Sequence, residues 1–170
     1  LDSDGNITVA LGSVDLSGTN TTFAQVAAET FGASPESVLV TTANTDSAPY
    51  AGGTGGSKIT YTVGAAVQKA AEDAKQQIME IAAQHLEAAV ADLELVNGAV
   101  QVRGVPGASV TLKQIASMSM TFNGKYDPVF GRGSTSITDI APGFAAHLAE
   151  VEVDDLTGEV NVVNYVAAQD

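Results

Sequence analysis

The chain has 170 residues, of which 45% are hydrophobic and 16% charged, and it contains neither cysteine nor tryptophan. Twenty acidic against seven basic residues give a formal charge of −13, which argues against nucleic acid or an anionic membrane as partner, because phosphate binding needs clustered Lys and Arg. The lack of cysteine excludes disulfides, thiolate-bound zinc, iron–sulfur clusters and a thiol nucleophile and fits a cytoplasmic protein, while no run of about 18 apolar residues could span a bilayer.

Asp4-Gly5 reads as a hairpin-type turn, and Asn6–Leu11 alternates as a strand, with Ile7, Val9 and Leu11 on one side. The polar run Ser17–Thr22 then feeds a first helix carrying Phe23, Val26, Ala27, Thr30 and Phe31 on one face and ending at Gly32. Ser34-Pro35-Glu36 opens a short helical turn, and Val38–Thr42 reads as a buried strand. An extended loop, Asn44 to Ser57, holds Pro49 and glycines at 52, 53, 55 and 56.

The longest helical signal follows. Val63, Val67, Ala70, Ala74, Ile78 and Ile81 recur every three or four residues, which predicts a helix from about Ser57 to Glu87, with a short second one near Ala88–Asp92. Leu93–Val96 and Ala99–Val102 form a hairpin across Asn97-Gly98, a pair suited to the positive φ angles of a type I′ turn. Thr111–Ser117 reads as a short helix, and 120–142 as strand and loop. Ala145–Val153 and Glu159–Ala167 make a second hairpin. The expectation is an α+β fold: a mixed sheet packed against one long and one shorter helix, with a C-terminal β-hairpin. A single domain over 1–170 is expected. It reads as a piece of a longer polypeptide, since it starts at Leu1 and stops just after the strand-like run Val160–Ala168.

Nucleophilic and metal chemistry find little support. His85 and His147 fall on a helix and a strand, and no Gly-x-Ser-x-Gly elbow is present, since Leu11-Gly12-Ser13-Val14-Asp15 lacks its second glycine. Asp2-Ser3-Asp4-Gly5 resembles half an EF-hand loop without the later ligands. Asp154-Asp155 reads as a solvated turn, and Glu150 and Glu152 as an exposed strand face. No catalytic residue and no metal ligand are assigned.

Two segments share a different logic. Ser17–Thr22 and Gly52–Ser57 each bring glycine backbone and hydroxyls to the start of a helix, where unpaired N–H groups and the positive dipole end favour anions. The seven basic residues are scattered between Lys58 and Arg132. An anionic ligand is therefore expected to rest on backbone and helix ends and not on a cationic cradle.

The order of these segments resembles the molybdenum hydroxylase family, the large molybdopterin-binding subunits of xanthine dehydrogenase, aldehyde oxidase and carbon monoxide dehydrogenase. Leu16-Ser17-Gly18 stands where that family has Gly-Gln-Gly, ahead of Thr21 and Gln25-Val26-Ala27-Ala28-Glu29. Ala43-Asn44-Thr45-Asp46 and Pro49 follow, then the intact Gly53-Thr54-Gly55-Gly56-Ser57 before the long helix. Leu93–Gly98 and the late Val151–Asp154 and Thr157–Val160 stretches also resemble the family.

The resemblance implies one lobe of a molybdenum cofactor-binding domain, a fragment of a larger subunit. It implies an oxidoreductase that uses water to hydroxylate an aldehyde, purine or other N-heterocycle, or to oxidise carbon monoxide. The cofactor it implies is molybdenum-molybdopterin, in its plain or cytosine dinucleotide form. Ser17, Gly18, Gly55, Gly56 and Ser57 are the cofactor-binding candidates. The implied partners are the remaining molybdenum-binding lobe, iron–sulfur and FAD subunits or domains, and a small-molecule substrate. In the family the catalytic glutamate lies in a Gly-x-Gly-Glu segment downstream and an Ala-Phe-Arg-Gly segment lies upstream, so the chain alone is expected to be inactive. Ser17 in place of glutamine supports a second reading, a cofactor-free scaffold or binding module that kept the fold without the chemistry.

Overall fold

The computed structural model describes residues 1–42, 44–136 and 143–169. The chain forms two compact units, Leu1–Ser136 and Ile137–Asp170. The first opens with β1 (Ile7–Leu11), α1 (Thr19–Phe31), β2 (Val38–Thr42) and the 28-residue α2 (Ile59–Leu86). β1 and β2 pair in parallel, Ile7 opposite Val38 and Leu11 opposite Thr42. Phe23, Ala27 and Phe31 of α1 are buried together with Ile7, Leu11, Val38 and, from α2, Ile59, Val67, Ala71 and Ile78.

α1 ends at Gly32, whose φ of 57° disfavours a side chain and where a Cβ would stand a tight 3.0 Å from the Leu95 carbonyl oxygen. That approach seats α1 on β3 (Leu93–Val96), which turns through Asn97 and Gly98, both at positive φ, into β4 (Ala99–Val102). A third strand, β5 (Val105–Thr111), follows in the order β3-β4-β5. The sequence reading does not foresee it, because Pro106 and Gly107 are strand-breaking types tolerated here on an edge. α3 (Leu112–Met120) starts in a capping box: Gln114 N–H donates to Thr111 Oγ1 at 3.2 Å, and Thr111 N–H donates to Gln114 Oε1 at 2.8 Å.

After α3, residues 129–135 run as an extended strap along α2. Phe130 N–H donates to Gln77 Oε1 (3.1 Å), Gln77 Nε2 donates to the Phe130 carbonyl (3.1 Å), and Arg132 N–H donates to Asp73 Oδ2 (2.8 Å). A Cβ on Gly131 would lie 2.0 Å from the Ala70 carbonyl oxygen, and one on Gly133 2.0 Å from that of Ala66. Ala66, Ala70 and Ala74, spaced four apart, thus form the track on which this backbone lies. Of the strand and loop expected over 120–142, residues 121–136 form a turn-rich loop leading into this strap and no strand; residues 137–142 fall outside the described set.

The second unit is an antiparallel ribbon of β6 (Ala145–Val153) and β7 (Val160–Gln169), with a register shift between Glu150 and Val151. The expected α+β fold with its C-terminal hairpin is what the structure shows.

Candidate functional site

The chain order strand–helix–strand–helix with parallel strands has a direct consequence. Each helix follows the C-terminal end of a strand, so both helix starts emerge at the same edge of the sheet, where ligands of parallel α/β units bind. Side-chain contacts confirm it. Phe23 meets Gly64, each a little over a turn from its own helix start, and Lys75 Nζ donates to the Thr30 carbonyl at 2.9 Å further along both helices. α1 and α2 therefore run parallel, with their positive dipole ends together.

The two loops also touch. A Cβ on Gly12, just after β1, would stand 1.9 Å from the Pro49 carbonyl oxygen and 3.0 Å from Ala51 N. Only glycine lets the second loop cross the first at this distance. The sequence shows Gly12 as a strand breaker; its role as a contact between loops appears only once the strands are paired.

The two starts differ in charge. At α1, Ser17 and Gly18 are both left-handed (φ 60° and 76°), and Gly18 is the N-cap. The Asp15 carboxylate already accepts from Asn20 N–H (3.1 Å) and Thr19 Oγ1 (3.2 Å), so an internal anion stands there. Thr19–Thr22, expected as loop, forms the first turn of the helix. At α2, Gly56 and Ser57 are left-handed (φ 63° and 54°), and the first turn has neither a side-chain cap nor an acidic residue. Around Gly53, Gly55 and Gly56 nothing lies within 4 Å of where a Cβ would be, and the same holds for Gly18. Lys58, the α2 N-cap, folds its Nζ to within 3.7 Å of the Cβ position of Gly52. The expectation of an anion site without any cation needs correcting there, because one of the seven basic side chains reaches the loop.

These features fit a ligand that carries an anionic group. The uncapped α2 amides and Lys58 suit the charge, and the open glycine backbone allows close approach. Ser13, 2% exposed, and Asn20 have side-chain oxygens, Oγ and Oδ1, that are buried without a hydrogen-bond partner among the described residues. Such atoms cost free energy unless something reaches them.

A cavity of about 770 Å³ is bounded by Ile7–Gly12, the α2 face from Lys58 to Ile78, and the strap. None of Ser17, Gly18, Gly55, Gly56 and Ser57 lines it, although Gly52 and Lys58 do. A smaller hollow of about 230 Å³ lies at the ends of β1 and β2, lined by Leu11, Thr42 and Ser47 among others. His147 Nδ1 shares a 2.9 Å hydrogen bond with the Tyr165 hydroxyl on the ribbon, and His85 lies in the last turn of α2. Among the described residues no helix is long and apolar enough to cross a membrane.

Comparison with known proteins matches residues 1–170 to the molybdopterin cofactor-binding domain. The probable hypoxanthine oxidase XdhD of Escherichia coli (strain K12) is 34% identical over all of this chain and 18% of its own length. The nicotine 6-hydroxylase large subunit of Paenarthrobacter nicotinovorans is 31% identical over all of this chain and 22% of its own. Among solved structures, a Cu,Mo-CO dehydrogenase in its carbon monoxide reduced state superposes with a TM-score of 0.83 at 28% identity, over 99% of this chain and 22% of that one. The chain thus spans about a fifth of the length of the curated relatives it matches.

Proposed function

The chain belongs to the molybdopterin cofactor-binding domain family, and from that premise we propose that it forms one wall of the molybdenum-pterin site in the large subunit of a hydroxylating oxidoreductase. The substrate class is an aldehyde, a purine or other N-heterocycle, or carbon monoxide; relatives named for hypoxanthine, nicotine and carbon monoxide support that range. The cofactor, when bound, supplies oxygen transfer from water and accepts the two electrons released. The residues of this chain bind and orient it.

Gly55, Gly56 and Ser57 bring backbone against the anionic pterin tail, plain or cytosine dinucleotide, at the uncapped start of α2, and Lys58 adds the one positive side chain. Ser17 and Gly18 line the neighbouring start of α1. There Asp15 repels the most anionic part of the ligand and so directs it toward α2. General acid–base chemistry falls to residues outside 1–170. The rest of the molybdenum-binding lobe and iron–sulfur and FAD partners complete the enzyme. Relatives named as a large subunit, a large chain and a complex subunit support such an assembly.

The observation that carries this reading is the parallel pairing of two helix starts, one of them open, uncapped and free of acidic residues. Asp15 also favours a second reading, a scaffold without cofactor, because it satisfies part of the α1 start internally. Elemental and pterin analysis of the intact protein from a cofactor-making host separates the two. About one molybdenum and one pterin per subunit is expected, whereas their joint absence would leave the scaffold.

A further inference from the structure

The leading N–H groups of a helix have no partner within it, and an end that nothing holds frays. α3 has its capping box, and at α1 the Asp15 carboxylate accepts from Asn20 N–H (3.1 Å). α2 has neither device: its N-cap, Lys58, makes no side-chain cap bond and its first turn holds no acidic residue. A cap there would occupy the amides that an anionic ligand needs. The structure holds this start from the side instead.

The strap supplies the hold. It runs antiparallel to α2, with Phe130 beside Gln77 and Arg132 beside Asp73, and its last residues reach the helix start. A Cβ on Gly133 would lie 2.0 Å from the Ala66 carbonyl oxygen and 2.6 Å from Ala70 N, so backbone lies on backbone there. Lys69 Nζ donates to the Ser134 carbonyl at 3.4 Å. The half-buried Thr135 makes the terminal contact: its Oγ1 donates to the Thr62 carbonyl at 2.9 Å. Thr62 in turn closes the first turn of α2, since its N–H (2.8 Å) and its Oγ1 (3.0 Å) both donate to the Lys58 carbonyl. One hydroxyl of the strap is thus linked through a single residue to the N-cap, whose Nζ stands 3.7 Å from the Cβ position of Gly52. The bond lands on a carbonyl and takes up no amide. It steadies the turn and leaves the N–H groups at its start open.

We infer that the strap braces the start of α2 and that Thr135 is its positioning residue, the hydroxyl that keeps the uncapped amides aimed at the anionic group of the ligand. That these amides serve the cofactor rests on the function proposed above; that Thr135 steadies them does not.

The test uses the full-length protein as wild type, as Thr135→Val, which keeps the branched shape and loses the donor, and as Thr135→Ser, which keeps the donor. Hydrogen exchange read by mass spectrometry should run roughly three- to tenfold faster over 62–67 in Thr135→Val, the weight of about one hydrogen bond. It should be unchanged over 71–78 and return toward wild type in Thr135→Ser. Equal exchange over 62–67 in wild type and Thr135→Val would overturn the brace, and acceleration along the whole helix would reduce Thr135 to a packing residue. Molybdenum and pterin per subunit after extended dialysis should fall several-fold in Thr135→Val and recover in Thr135→Ser. Full retention beside faster exchange would remove the positioning role. A wild-type protein carrying neither would overturn the function proposed above and that role with it, while the exchange pattern still decides whether the brace exists. If Thr135→Val does not fold, wild-type exchange decides: protection over 62–67 within about tenfold of that over 71–78 is expected, and exchange at loop rates would contradict the brace.

Discussion

Gly12 and Gly53 are both loop glycines with unremarkable φ, yet the structure gives them opposite weights. A methyl group at Gly12 meets the Pro49 carbonyl at 1.9 Å, whereas one at Gly53 meets nothing within 4 Å. Gly12→Ala should lower stability by about 1–3 kcal/mol, and Gly53→Ala should stay within about 0.5 kcal/mol. Urea unfolding midpoints of the two variants check this, and equal midpoints would contradict it. Asp154 allows a test by pH. Its exposed carboxylate accepts from Thr157 N–H (2.8 Å) and Leu156 N–H (2.9 Å), and these bonds, Thr157 first, hold its pKa below the usual 3.8. A carboxyl lowered in the folded state contributes above its unfolded pKa and loses that contribution as pH falls through the folded value. The amide NMR shifts of Leu156 and Thr157 should therefore hold steady down to the ordinary Asp range and change together below it. A transition centred at or above pH 3.8 would count against the turn as described.

At the scale of elements, the strap on α2 makes a separate claim: Ala66, Ala70 and Ala74 are small because a backbone lies on them. Ala70→Leu keeps good helix propensity but fills the space under Gly131. It should lift the strap and speed trypsin cleavage after Arg132, read by gel against time; unchanged cleavage would mean the strap is held elsewhere. The helices and both hairpins are legible in the sequence, because periodicity, Asn97-Gly98 and the Gly32 stop are local signals, whereas the parallel pairing of β1 with β2 joins residues about thirty positions apart and is not. β5 was hidden behind Pro106 and Gly107. The strap was invisible, because its partners Asp73 and Gln77 lie more than fifty residues away and their spacing on α2 reads as an ordinary solvated face. Ala70 and Ala74 read in the sequence as members of the helix's three-to-four-residue apolar repeat, whereas with Ala66 they form the strap's track.

For the whole molecule, the candidate site was legible as two glycine-bearing helix starts, but the sequence ranked them equally. Their juxtaposition follows from the parallel pairing of β1 with β2, which places both starts at one sheet edge, and their inequality follows from Asp15, whose contact with Asn20 N–H no spacing rule announces. Asp15→Asn removes a negative charge from the α1 start while keeping an acceptor oxygen. It should leave cofactor loading intact or raise it, measured as molybdenum per subunit; a clear fall would give Asp15 a direct part in holding the ligand. The most direct measurement concerns the α2 start itself. Gly55→Val with Gly56→Val in the full-length protein puts branched side chains where, on the proposed reading, the backbone approaches the pterin tail, and at Gly56 on a left-handed φ as well. Molybdenum and pterin should fall to a small fraction of the wild-type content while far-ultraviolet circular dichroism stays unchanged, and full occupancy in that folded variant would contradict the account.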